Sequence, residues 1–190
     1  MSRDPGDGEG QGSGRRKRRT RPPRPSPSQL PPEEAYERAF SSALRLLSVR
    51  ERSRAELRSK LAGKGFHPSI VIRVLDRLEE GDLQSDRRFA EGFTAESHRS
   101  RGLSAFAIQG ELRRRGVEKE LAAEASTEAP EDEEARARTI AVRRAARMGG
   151  LSPDAARRRL EGFLARRGFA PELCRRLARE LALGAPPAGS

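Results

Sequence analysis

Apolar side chains recur along this chain at helical intervals. Phe40, Leu44 and Leu47 share one face of a helix that the spacing predicts from about Ala35 to Ser48. Phe89 and Phe93 stand at i and i+4 in a second such stretch, Asp86 to Ser100. Ile140, Arg144 and Met148 mark a third, Glu133 to Met148, which is poor in apolar residues. No segment has the two-residue alternation or the β-branched density of a strand. Ala, Leu, Arg and Glu, all good helix formers, dominate the chain.

Each stretch is followed by a copy of one short pattern, Leu-x-x-x-Gly-apolar. It reads LAGKGF from Leu61, LRRRGV from Leu112 and LARRGF from Leu164. The glycines Gly65, Gly116 and Gly168 lie 51 and 52 positions apart. Apolar residues stand eight positions before each (Leu57, Ile108, Leu160) and five after (Ile70, Leu121, Leu173). A glycine that ends a helix in the left-handed conformation explains this spacing. The Leu four before it and the apolar residue after it are the two side chains that touch in a Schellman cap. Leu61, Leu112 and Leu164 are therefore expected in the core, with the glycines structural. Pro68 and Pro171 suit the first turn of a following helix. Ser53-Arg54-Ala55-Glu56 reads as a capping box, and Ser152-Pro153 as an N-cap with proline next to it.

Three helices per copy and three copies predict an all-α fold of three tandem three-helix repeats, an elongated array open to curvature. The expected division is a Gly/Pro/Arg-rich disordered tail over 1–34, repeats over 35–81, 82–130 and 131–183, and a loose end over 184–190. The single cysteine allows no internal disulfide and favours a reducing compartment. No apolar run nears the ~20 residues of a membrane span, and the polar N-terminus has no signal-peptide core. A cytoplasmic monomer with no membrane contact is expected.

Charge sharpens this picture. The net charge is +11, but residues 82–134 carry 8 basic and 13 acidic side chains while residues 135–190 carry 13 and 4. The stretch RRKRRTRPPR, Arg15 to Arg24, adds seven basic residues without an acid. Such a balance points to a polyanion as partner. The candidate contacts are arginines: Arg99 and Arg101 near the end of one helix, Arg113, Arg114 and Arg115 at the end of another, and Arg166 and Arg167 at a third. Arg143, Arg144 and Arg147 recur at i, i+1, i+4, as do Arg175, Arg176 and Arg179; Arg158 lies within a run of three. Cations at helix C-termini also complement the helix dipole, yet thirteen against four exceeds that need. Aromatic platforms for stacked bases are scarce.

Little points to catalysis. Gly63-Lys64-Gly65 lacks the second half of a phosphate-binding loop, since Phe66 stands where a lysine and a hydroxyl belong. His67 and His98 are isolated, Cys174 lies among core leucines, and Glu131 to Glu134 suit the start of a helix. No cofactor, no metal and no catalytic residue is expected.

The motifs together resemble one family. RSRAELRSKLAGKGF (Arg52, Ser53, Glu56, Leu57), GDLQSDRRFAEGF (Leu83, Ser85, Asp86, Arg88, Phe89, Ala90) and IQGELRRRGV (Glu111, Leu112, Gly116) are similar to RecX, the bacterial regulator of the RecA recombinase. The resemblance covers about residues 35–183 and is diffuse in the third repeat. It departs at Ser104-Ala105-Phe106-Ala107, where the family commonly has Gly-Pro-x-Arg. The resemblance implies a non-enzymatic protein of three three-helix repeats that lies in the groove of the RecA filament on single-stranded DNA. There it limits filament growth, ATP hydrolysis, strand exchange and the coprotease activity of the SOS response. The competing reading is a helix-turn-helix protein of duplex DNA, built on Arg54–Lys64 and Pro68–Glu80. The apolar start of its second helix, Ile70-Val71-Ile72, and the threefold recurrence argue against that reading.

Overall fold

Nine α-helices follow one another through residues 26–183, the part of the chain that the computed structural model describes. The basic stretch 15–24 and the closing segment 184–190 lie outside it. The first three helices are α1 (Pro32–Leu47), α2 (Arg54–Ala62) and α3 (Pro68–Glu80). The next are α4 (Asp86–Glu96), α5 (Ala105–Arg114) and α6 (Lys119–Ser126), then α7 (Pro130–Ala145), α8 (Pro153–Ala165) and α9 (Pro171–Leu183). Among the described residues there is no strand. α1 begins inside the stretch read as tail, because Pro32 starts it and Glu33 and Glu34 supply its acidic first turn. A 3-10 turn, Pro27–Gln29, precedes it. α4 stops at Glu96 and continues as a single π-turn, Ser97–Arg101, which Gly102 ends at φ +58°.

Each repeat closes its own core. Leu57, Leu61, Ile70, Val74 and Leu78 form the first; Phe89, Ile108, Leu112 and Val117 the second; Leu160, Leu164, Phe169, Cys174 and Leu177 the third. Leu61, Leu112 and Leu164 are fully buried, each contributing about 2 kcal/mol by leaving water. The predicted caps are present. Gly65, Gly116 and Gly168 have φ of +85°, +79° and +85°. The amide of Phe66 donates to the carbonyl of Leu61 at 3.5 Å, and that of Val117 to Leu112 at 3.1 Å. In the third copy the Gly168 amide donates to Ala165 at 2.9 Å.

The first helices bury small residues as well as, or in place of, the large ones that mark them, and in α4 Phe89 is buried beside them. Ala39 and Ala43, Ala90 and Thr94, and Ala137 and Ala141 face inward at i, i+4. Leu44 points to solvent, and Met148 lies beyond the end of α7. Small side chains let these helices approach their partners closely, since interaxial distance follows the side chains at the contact. The partner is the third helix of the same repeat each time: α1 on α3, α4 on α6, α7 on α9.

The repeats join through their middle helices. The end of α5 abuts the start of α2, where the Ser53 hydroxyl donates to the Arg115 carbonyl at 2.6 Å. The end of α8 abuts the start of α5 in the same way, the Ser104 amide donating to the Arg167 carbonyl at 2.9 Å. An acid from the following repeat completes each joint: Asp86 accepts from the Arg54 amide at 2.7 Å and Glu133 from the Ala105 amide at 2.9 Å. The capping box at Ser53 is only half made. Its hydroxyl accepts from the Glu56 amide at 3.0 Å, but the Glu56 carboxylate turns to Arg50 and Arg115. The outer ends differ. Pro27 lies beside Gly65, and α8 begins with Ser152 followed by Pro153, which has no amide proton to offer.

Gly116 has no room for a side chain at its joint, since a Cβ there falls 2.2 Å from that of Ala55. Gly110, in the interior of α5, meets nothing within 4 Å. Gly116→Ala should therefore destabilise the protein by about 2 kcal/mol or more through left-handed strain and overlap. Gly110→Ala should stabilise it by roughly 0.5–1 kcal/mol. Urea unfolding followed by circular dichroism measures both; equal effects would contradict the joint described here.

Candidate nucleic-acid interface

The candidate arginines separate into three places. Arg113, Arg114 and Arg115 close α5 and line a groove at the first joint with Arg50, Arg52 and Lys60. Arg99, Arg101, Arg143, Arg144, Arg147 and Arg167 line a groove of about 400 Å³ at the second joint. Arg144 also borders an adjoining groove of about 560 Å³, whose other cations are Arg158, Arg159 and Arg166. Arg175, Arg176 and Arg179 lie on α9, outside all of these. Arg176 is held by Glu134 through two contacts at 2.6 and 2.7 Å, and Arg175 pairs with Glu172. The i, i+1, i+4 pattern on α9 is thus largely neutralised by its own surroundings.

The two joints are built alike but charged differently. At the first, the Glu56 carboxylate accepts from Arg115 at 2.7 Å and is ion-paired with Arg50 at 3.0 Å. Burial pushes its pKa up, but the two guanidiniums outweigh burial and leave it below the usual value. Position 107, the counterpart of Glu56 one repeat on, is alanine. There Arg167 has no carboxylate. It donates to the carbonyls of Arg101 at 3.0 Å and Phe163 at 3.3 Å, and its guanidinium carbon lies 3.7 Å from the Phe163 ring centroid. Arg144 covers the same ring at 5.6 Å. Burial, then Arg166 and Arg144, push the Arg167 pKa down. Arg101 is tied to Glu111 and Arg99 to Glu96. Among the described residues, Arg143, Arg144, Arg147, Arg158, Arg159 and Arg166 have no carboxylate partner. Crowded, uncompensated cations around an aromatic ring favour an incoming anion, which relieves their repulsion.

A half-buried polar cluster lies beside this groove, which His98 lines. His98 comes from the π-turn, Glu128 from the α6–α7 link and Arg136 from α7. The His98 Nε2 lies 3.8 Å from Glu128 Oε2. Arg136 binds Glu128 and donates to the Leu103 carbonyl at 3.0 Å. Burial first, then Arg136, hold the His98 pKa below its ordinary value, against the pull of Glu128 and Glu133.

Among the described residues no group of three or more His, Cys, Asp or Glu is placed to hold a metal ion, and no helix is long and apolar enough to cross a membrane. His67 caps α3, its Nδ1 accepting from the Ser69 amide at 3.4 Å. Cys174 is buried. Ile70 and Val71, near the start of α3, are also buried, so they are not free to read bases. Phe163, Arg159 and the Glu56–Ala107 difference were missed by reading charge along the chain. Aligning the repeats on their glycines exposes the last of these.

His98 generates a test. Its folded pKa is depressed, so the unfolded chain binds the proton first as pH falls below about 6.5. Stability should decline on that acid side and hold above it. His98→Gln should flatten the decline between about pH 6.5 and 5, as measured by thermal unfolding; an unchanged profile would place the titration elsewhere.

Comparison with known proteins agrees with this architecture repeat by repeat. Models of the first, second and third three-helix domains of RecX match residues 39–78, 85–125 and 131–177. The regulatory protein RecX of Amycolatopsis mediterranei is 41% identical over 143 residues, covering 75% of this chain and 82% of its own. That of Thermobifida fusca is 39% identical over 150 residues, covering 78% and 81%. The crystal structure of RecX from Lactobacillus salivarius superposes with a TM-score of 0.68 at 21% identity, over 80% of this chain and 99% of that one. The three domain matches in order, with these relatives, show that the chain belongs to the RecX family of regulatory proteins.

Proposed function

We propose that this protein restrains the RecA recombinase by binding the RecA filament on single-stranded DNA. In this reading it limits filament extension, ATP hydrolysis, strand exchange and SOS coprotease activity. The observation that carries it is the uncompensated groove at the second joint, where Arg143, Arg144, Arg147, Arg158 and Arg166 stand without carboxylates. At the first joint Glu56 takes Arg50 and Arg115, although Arg52, Lys60, Arg113 and Arg114 there also lack a carboxylate among the described residues. Membership of a family whose members are named regulatory proteins supports the reading. A groove that runs past helix ends suits a sugar-phosphate backbone. With Phe163 already covered by two guanidiniums, base-specific readout is not expected.

Sub-stoichiometric protein should lower the DNA-dependent ATPase of RecA; an unchanged rate would sink the proposal. The triple variant Arg143→Ala, Arg144→Ala, Arg147→Ala should bind DNA more weakly. Its log–log salt slope should be shallower by up to about 2 units, from three lost phosphate contacts. Retention of the full slope would move the contact off this groove.

A further inference from the structure

Phe106 is the one aromatic side chain among the strongly exposed apolar residues described, with 77% of its surface open. It stands in the first turn of α5, on the other side of the His98–Glu128–Arg136 cluster from the basic groove. Beside it opens a hollow of about 860 Å³, walled by Ala105, Ala123, Ala165, Phe169 and Pro171. The hollow follows from how the second joint closes. At the first joint Gly116 seats against Ala55. At the second, Gly168 seats against Ser104 and Ala107. Position 106, the counterpart of Ala55, is left outside the contact and carries a phenyl ring.

The chemistry of this hollow is the reverse of the groove behind it. Among the described residues no lysine or arginine lines it. Its charged lining is Glu128 and Glu133. Glu131 and Asp132, exposed on the first turn of α7 next to them, have no basic partner among the described residues. An apolar floor with an acidic rim repels a phosphate backbone and suits a protein surface that offers an apolar side chain between lysines or arginines.

We infer that this hollow is a docking site for such a basic–apolar segment. It rests on the function proposed above, in which the segment belongs to the protein part of the filament. The second joint then contacts both components at once, DNA through its arginines and protein through Phe106.

The test compares Phe106→Ser, Phe106→Leu and the pair Glu131→Lys with Asp132→Lys, all exposed and read for folding by thermal unfolding. Binding is measured to free single-stranded DNA and to the same DNA coated with RecA, alongside ATPase inhibition. Phe106→Ser and the charge-reversed pair should bind free DNA at least as well as the unaltered protein. On the filament they should bind about tenfold more weakly or worse and inhibit less, with Phe106→Leu largely restored. Variants that bind and inhibit on the filament as the unaltered protein does would overturn the docking site while leaving the proposed function intact. Equal losses for Phe106→Ser on free and coated DNA would make Phe106 a nucleic-acid contact and overturn it too. An unaltered protein that neither binds the filament nor slows the ATPase would overturn both.

Discussion

The contact between the end of one middle helix and the start of another is the constraint on which this molecule depends. The carbonyl-rich end of α5 meets the amide-rich start of α2, and that of α8 meets the start of α5. Opposite ends of helix dipoles are brought together, and orphan carbonyls and amides find partners in the same stroke. Glycine is required there because any side chain would hold the helices apart. The Ser53 and Ser104 caps, the acids Asp86 and Glu133 and the three separate cores are all arranged around these two seams.

Because the seams share one construction, their differences stand out. Glu56 places a carboxylate inside the first, and Ala107 leaves the second without one. That single position decides whether the arginine before the glycine is paired, as Arg115 is, or left without a carboxylate, as Arg167 is. Phe106 in place of the smaller Ala55 does the corresponding thing on the apolar side. Duplication supplied the frame, and a few substitutions at equivalent positions gave each copy a separate character.

Much of the frame was legible in the sequence because it rests on local rules. Gly65, Gly116 and Gly168 announce their caps through neighbours four positions before and one after, and Pro68 and Pro171 announce the next helix. What escaped was small or distant. The inward stripes of α1 and α7 are built mainly of alanines, invisible to a search for large apolar residues. The acids that cap α2 and α5 lie 32 and 28 residues away, and the carboxylates on Arg176 and Arg115 lie 42 and 59 away. Nothing in the spacing of the arginines tells which of them a remote carboxylate will claim. Arg176, a member of the candidate set, is held in such an ion pair.

The two outer ends of the described array are built differently from its seams. α2 and α5 each offer a first-turn amide, and an acid from the next repeat takes it. α8 offers Pro153 in that place, so a further unit arriving there would bring an acid with nothing to bind, against the like charge of Asp154. At the other end, Pro27 stands beside Gly65, where a preceding repeat would have to seat. Proline, which forms no seam itself, thus stands at both margins of the three described repeats, where the chemistry of the inner seams is not repeated.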